Sequence, residues 1–151
     1  MRVTGNVGAI LSYKGTAHWT VAPEDSVYHA IALMADKNIG ALLVMEGEKL
    51  VGVVSERDYS RKVMLRGRGS KETSVRDIMG TPPITVTSQQ SVDECLHIMT
   101  AQRVRHLPVV DGEKVAGVIS IGDLVNWVIS AQSATIEHLQ SYISGSYPGQ
   151  S

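Results

Sequence analysis

GVVSERD at residues 52–58 and GVISIGD at residues 117–123 are one short pattern written twice: Gly, Val, an apolar residue, Ser, two variable positions, Asp. Each copy follows a pair of apolar runs joined by a turn and precedes a run with helical spacing. Extended outward, Thr20 to Asp58 lies over Thr85 to Asp123 at a constant offset of 65 residues without a gap. Thr20, Val21, Ser26, Val27, Met34, Leu42, Val44, Gly47, Glu48, Lys49, Gly52, Val53, Ser55 and Asp58 each meet an identical residue. A self-match at this spacing makes the repeat the unit of the fold.

Each unit reads in the same order. Val27, Ala30, Ile31 and Met34, and again Val92, Cys95, Leu96 and Met99, stand at the spacing of one helical face. Ser26 and Ser91 are N-cap residues, and Glu94 completes a capping box with Ser91. Apolar strands follow at 41–45 and 106–110, then glycine-containing turns at 46–49 and 111–114, then second arms at 50–54 and 115–119. Because these strands are unbroken apolar runs, both faces should be covered. Ser55 and Ser120 open a second helix, carried by Val63 and Met64 in one unit and by Leu124, Val125, Val128 and Ile129 in the other. At the entrances, residues 7–11 resemble residues 75–79, although the loop that follows is three residues longer in the first unit. Met34, Met64, Met79 and Met99 read as core filling.

Neither unit can bury its helices and sheet alone. The expected fold is mixed α+β, with two β-α-β-β-α units packed sheet to sheet about a pseudo-twofold axis and paired clefts between them. The expected boundaries are a first repeat with its lead-in at 1–66, a mobile linker at 67–74, a second repeat at 75–131 and a helical tail at 132–151. In the tail, Ile136, Leu139 and Ile143 form a narrow apolar stripe before Gly145 and Pro148.

Composition narrows the function. A chain of 151 residues with a formal net charge of −1 can bury a core and lacks the basic excess of a polyanion binder. Its one basic cluster, Arg57, Arg61 and Lys62 with the stretch 65–71, has no interleaved aromatics, so it reads as a solvated face and not a nucleic-acid platform. Cys95 stands alone on an apolar helix face, which points to a reducing compartment such as the cytosol. With no signal region and no apolar run approaching ~20 residues, the expectation is a soluble, cytoplasmic chain without a membrane partner. The histidines show no close ligand spacing, so no metal is expected. No nucleophile stands with a matched base, so no enzymatic activity is expected.

The Ser-x-x-Asp pair has two readings. As a near capping box it only starts a helix. Alternatively, an Asp at the carboxyl end of a strand and in the first helical turn can accept hydrogen bonds from the vicinal hydroxyls of a ribose, while the helix start favours a phosphate.

NIGALLVMEGEKLVGVVSERD at 38–58 and RVRHLPVVDGEKVAGVISIGD at 103–123 resemble the paired cystathionine-β-synthase domains known as the CBS pair or Bateman module, over about residues 5 to 130. The resemblance implies a non-catalytic regulatory module that binds adenosine-containing ligands (AMP, ADP, ATP or NAD, with S-adenosylmethionine also open) in the clefts and alters the activity of a protein partner. It also implies a homodimer. Carried over residue by residue, it gives a first pocket in which Asp58 holds the ribose beside Ser55, Val53 and Arg57. There Thr81, Pro83 and Val104 form the adenine slot, and Arg105 and His106 face the phosphate. The second pocket is Asp123, Ser120 and Val118, met across the axis by Thr16, His18, Ile39 and Gly40. Because Gly40 and Ala41 stand where the first pocket has Arg105 and His106, the two sites should differ in affinity or in ligand. Two rivals remain: an interaction module whose Ser-x-x-Asp pairs only cap helices, and an enzyme acting on a nucleotide.

Overall fold

Ser26 and Ser91 each accept the backbone N–H three residues on, His29 and Glu94, at 3.1 Å. These caps start the two long helices, α2 (Val27–Lys37) and α4 (Val92–Gln102). The computed structural model describes residues 4–130. Both helices end on a residue in the left-handed conformation, Asn38 at φ 54° and Arg103 at φ 56°. Asn adopts this readily; Arg does so at a cost of about 1 kcal/mol. Ser91→Ala is expected to lower stability by about 1 kcal/mol by orphaning the Glu94 N–H. Thermal unfolding checks this, with Ser91→Gly expected to be milder.

The hairpins match down to their irregularities. β2 (Ala41–Glu46) pairs antiparallel with β3 (Lys49–Ser55), and β4 (His106–Asp111) with β5 (Lys114–Ser120). Gly47 and Gly112 turn the chain at φ 65° and 64°. Both ladders shift register at the equivalent step, Val44/Met45 and Val109/Val110. The third strand differs. In the first unit β1 (Thr20–Val21) runs parallel to β2, and Leu43 N donates to Trp19 O at 3.1 Å. Pro108 occupies the place of Leu43 and has no N–H, so the second unit keeps only the bridge between Val86 and Val109. Coverage on both faces holds for β2, where Leu42, Leu43 and Val44 are all buried, and for the middle of β4. It fails for β3 and β5, which bury alternate residues (Gly52 and Val54, Gly117 and Ile119).

The lead-in segments exchange places. α1 (Val7–Lys14) precedes the first repeat, yet Val7, Ile10 and Leu11 are buried with Val92, Cys95, Leu107 and Ile119 of the second. Val75 and Ile78, which lead into the second repeat, are buried with Val27, Met34, Leu42 and Val54 of the first. Val7 N donates to Gln90 O at 2.9 Å, and Val75 N to Asp25 O at 2.8 Å. Each such apolar side chain contributes about 1.5–3 kcal/mol by burial, so each core depends on a segment from the other unit.

After β3 the chain turns through α3 (Glu56–Tyr59) into a π-helical stretch, Ser60–Met64, that buries Val63 but leaves Met64 57 % exposed. Met64 is therefore not core filling, whereas Met34 and Met99 are. Its counterpart α5, residues 121–130, buries Leu124 and exposes Val125 and Ile129. The stretch read as a mobile linker is tied down: Tyr28 N donates to Ser70 O at 2.9 Å, and buried Thr73 donates its hydroxyl to Gly69 O at 2.7 Å. Cys95 is buried, and burial pushes its thiol up to about 11, so it is protonated and unreactive. The tail stripe Ile136, Leu139 and Ile143 lies outside the described residues. Among the described residues no helix is long and apolar enough to cross a membrane.

Candidate functional site

Both Ser-x-x-Asp pairs cap a helix. Asp58 N donates to Ser55 Oγ at 3.2 Å, and Ser55 N returns a hydrogen bond to Asp58 Oδ2 at 2.9 Å. Asp123 N and Ser120 Oγ are 3.1 Å apart, and Ser120 N donates to Asp123 Oδ2 at 2.8 Å. What distinguishes the two copies is the next contact of each carboxylate. Asp58 Oδ1 lies 3.4 Å from Lys62 Nζ, one turn along the same helix. Asp123 Oδ2 instead accepts from Lys14 Nζ, far away in sequence, at 2.7 Å.

Asp58 opens on a cavity of about 800 Å³ between the two repeats, a size suited to a nucleotide. The structure brings all nine residues expected in the first pocket to its walls. Val53, Ser55, Arg57 and Asp58 come from the end of β3 and from α3; Thr81 and Pro83 come from the segment before β1's counterpart, Val104 and Arg105 from the segment before β4, and His106 opens β4. Val53 and Gly80 hold the two sides together through a reciprocal pair of backbone hydrogen bonds, at 3.1 and 2.8 Å.

Three cations that the sequence reading left outside the pocket also line it: Arg61, Lys62 and Arg103. Arg61 and Lys62 lie three and four residues beyond Asp58, the spacing that shares a helix face, and that was the signal available in the sequence. The lining therefore carries Arg57, Arg61, Lys62, Arg103 and Arg105 against the carboxylates of Glu56 and Asp58. Among the described residues, none of the four guanidiniums lies within 4.0 Å of a carboxylate. Arg57 donates instead to Arg103 O at 3.2 Å. Burial pushes His106 below the ordinary histidine range; Asp123 draws it back up, while Lys14 and Arg105 push it further down. At neutral pH it is an uncharged ring with one N–H to donate. Val53, Ile84, Val104 and the two prolines supply the apolar wall.

The second cleft is assembled differently from expectation. Val118, Ser120 and Asp123 sit at the end of β5 as the repeat requires, but Lys14 covers them: its ammonium donates to Val118 O at 3.0 Å as well as to Asp123. Thr16 passes close to Gly117, with its Cα 3.7 Å from where a Cβ there would stand, and Thr16 O lies 3.0 Å from His18 Nδ1. Gly40 lines the first cavity, where a Cβ on it would stand 3.4 Å from His106 Cε1 and from Glu56 Oε1. Ile39 borders a separate hollow of about 250 Å³ with Met34, Asn38 and Glu56. α1 packs into the core of the second repeat, and this carries its terminal lysine against the end of β5. Burial alone would raise the Asp123 carboxyl; the Lys14 hydrogen bond, the Ser120 N–H and the Lys14 charge together hold it below the usual carboxylate range. Among the described residues no group of three or more His, Cys, Asp or Glu side chains could hold a metal.

The CBS domain family profile matches residues 16–64 and 75–130. A mitochondrial CBS domain-containing protein of Arabidopsis thaliana, CBSX3, is 40% identical over 129 residues, which cover 82% of this chain and 63% of that protein. This chain thus spans less than two thirds of that relative. A solved CBS-domain protein from Burkholderia ambifaria superimposes with a TM-score of 0.82 at 52% identity, covering 84% of this chain and 96% of the other. More distantly, at 22% identity, a CBS domain pair solved with 5′-methylthioadenosine and S-adenosyl-L-methionine shares the fold, with a TM-score of 0.74 over 85% of this chain and 98% of that one.

Proposed function

Because this chain belongs to the CBS-domain family, whose two copies fill most of it, we propose that it is a non-catalytic regulatory module that binds a phosphorylated adenosine ligand in the cleft headed by Asp58. The observation that carries the reading is the convergence, among the described residues, of four arginines without carboxylate partners on a cavity that Val53, Ile84, Val104 and two prolines also line. In this reading Asp58 accepts the ribose hydroxyls, Thr81, Pro83 and Val104 flank the base, and Arg105, His106, Arg57 and Arg61 face the phosphates. The charge favours AMP, ADP, ATP or NAD over S-adenosylmethionine, whose sulfonium would meet a cationic wall. Binding across the two repeats would fix their relative orientation, and any partner that prefers one orientation would respond.

The same reading includes a homodimer. Ile121, Val125 and Ile129 recur at four-residue steps along α5, are exposed, and form a face that a second copy would cover. It also includes a reducing compartment such as the cytosol, which suits an unpaired Cys95.

Calorimetric titration with AMP, ADP, ATP, NAD, adenosine and S-adenosylmethionine tests the ligand class. Phosphorylated ligands should bind more tightly than adenosine, with a preference that weakens as salt rises. Arg105→Ala should narrow that preference by about tenfold, the loss of one exposed charge-assisted contact. Tighter binding of S-adenosylmethionine, unaffected by Arg105→Ala, would overturn the phosphate assignment.

A further inference from the structure

The two clefts are built from matching strand ends that share Val, Ser and Asp, yet the carbonyl and carboxylate at each end meet different partners. In the first unit Val53 O accepts from the backbone N–H of Gly80 at 2.8 Å, and Asp58, on the cavity wall, has only the looser approach of Lys62 Nζ to its Oδ1 at 3.4 Å, that ammonium donating instead to Ile78 O at 2.9 Å. In the second unit the equivalent Val118 O accepts from Lys14 Nζ at 3.0 Å, and the same ammonium sits 2.7 Å from Asp123 Oδ2. Lys14 has no counterpart in the shorter second lead-in: the positions offset by 65 and 68 residues are Met79 and Pro82.

A ribose binds to such a carboxylate by donating from two adjacent hydroxyls. A primary ammonium donates in the same direction, carries a full opposite charge and is tethered to the chain, so a neutral diol competes poorly with it. The tether is firm, because α1 is anchored by Val7, Ile10 and Leu11 in the core of the second repeat. Asp123 and Asp58 are equally exposed, at 20% and 21% of the side chain, so the difference lies in the contact itself: a hydrogen bond of 2.7 Å from Lys14 at Asp123, against 3.4 Å from Lys62 at Asp58.

We infer that Lys14 is a specificity-determining residue that takes the ribose position at Asp123 and so confines the chain to one nucleotide, in the Asp58 cleft. The stoichiometry rests on the reading of that cleft given above; the blocking role of Lys14 stands on its own geometry. Lys14 acts as a built-in ligand of the second cleft, and the apparent equivalence of the two copies is broken by the segment in which their lead-ins differ.

The test is equilibrium dialysis with radiolabelled ATP against the full chain, against Lys14→Met and Lys14→Gln, and against each of these combined with Asp58→Asn or Asp123→Asn. Circular dichroism confirms the fold of every variant. The expected result is one equivalent bound per chain in the wild type and two in Lys14→Met, the added equivalent being lost with Asp123→Asn and kept with Asp58→Asn. Binding by Lys14→Met alone, lost with Asp123→Asn, would uphold the blocking role and refute the Asp58 site. One equivalent in both wild type and lysine variants would overturn the role of Lys14 and leave the Asp58 site standing. Two equivalents in the wild type would overturn it as well, and no binding by any form would overturn both. Lys14→Gln keeps a neutral donor of similar length, so recovery of the second equivalent there shows that the charge was needed for blocking.

Discussion

Asp58→Asn is expected to lower the affinity of the first cleft for ADP or ATP by about a hundredfold while leaving the fold in place. The amide oxygen of Asn can still accept the Ser55 N–H, so the cap that starts α3 survives. What is lost is the negative charge that strengthens two hydrogen bonds from the ribose. Each such bond contributes about 1.4 kcal/mol or slightly more, which is tenfold in affinity for each. Asp58→Ala keeps the Ser55 cap on the backbone N–H of residue 58 but removes the carboxylate half of the capping box, and orphaning the Ser55 N–H should cost about 1 kcal/mol of stability in addition. If Ser-x-x-Asp served only as a helix start, Asp58→Ala would lower the melting temperature, Asp58→Asn would leave it in place, and neither would change affinity. Calorimetry beside thermal unfolding separates the two readings, because Asp58→Asn moves one observable without the other.

Gly52→Val, next to the cavity-lining Val53, should have the largest effect on stability of the substitutions considered. A Cβ at Gly52 would stand 2.8 Å from Gly80 O and 2.8 Å from Met79 Sδ. The methionine can swing aside, but the Gly80 carbonyl is backbone held by Val53. Relief therefore requires the segment 79–82 to lift away, breaking the reciprocal Val53 and Gly80 hydrogen bonds. The expected cost is about 2–3 kcal/mol, or a fall in melting temperature of roughly 5–10 °C for a chain of this size. Affinity should fall with it, since Thr81 and Pro82 line the cavity on that same segment. Gly40→Ala is the control: this glycine is itself on the cavity wall, but its nearest neighbours are 3.4 Å away, so it should lie within about 1 kcal/mol of the wild type. A wild-type melting curve for Gly52→Val would show that the 79–82 segment does not hold the two repeats together.

Much of this was legible in the sequence because it is local. The caps at Ser26 and Ser91, the glycine turns and the paired strand ends depend on residues within a few positions of each other, and the offset of 65 residues made each a check on the other. Pro108 even indicates why the second sheet has a bridge where the first has a strand. The misread features depend on which surfaces meet. An apolar stripe on α1 says that the helix is buried, but not that it is buried in the second repeat. That exchange puts Lys14 over Asp123. Arg61 and Lys62 were visible as charge, yet a solvated face and a phosphate wall have the same composition until the opposite wall is known. Met64 failed for a local reason: the π-helical stretch from Ser60 rotates it outward after Val63.

Amide NMR of the wild-type chain titrated with ATP decides whether one adenine nucleotide occupies the cleft headed by Asp58. Shift changes are expected to concentrate in 53–58, 80–84 and 103–106, to saturate together with one affinity and to leave the amides around Ser120 and Asp123 nearly unmoved. Changes centred on 118–123, or no saturable change at all, would contradict that occupancy.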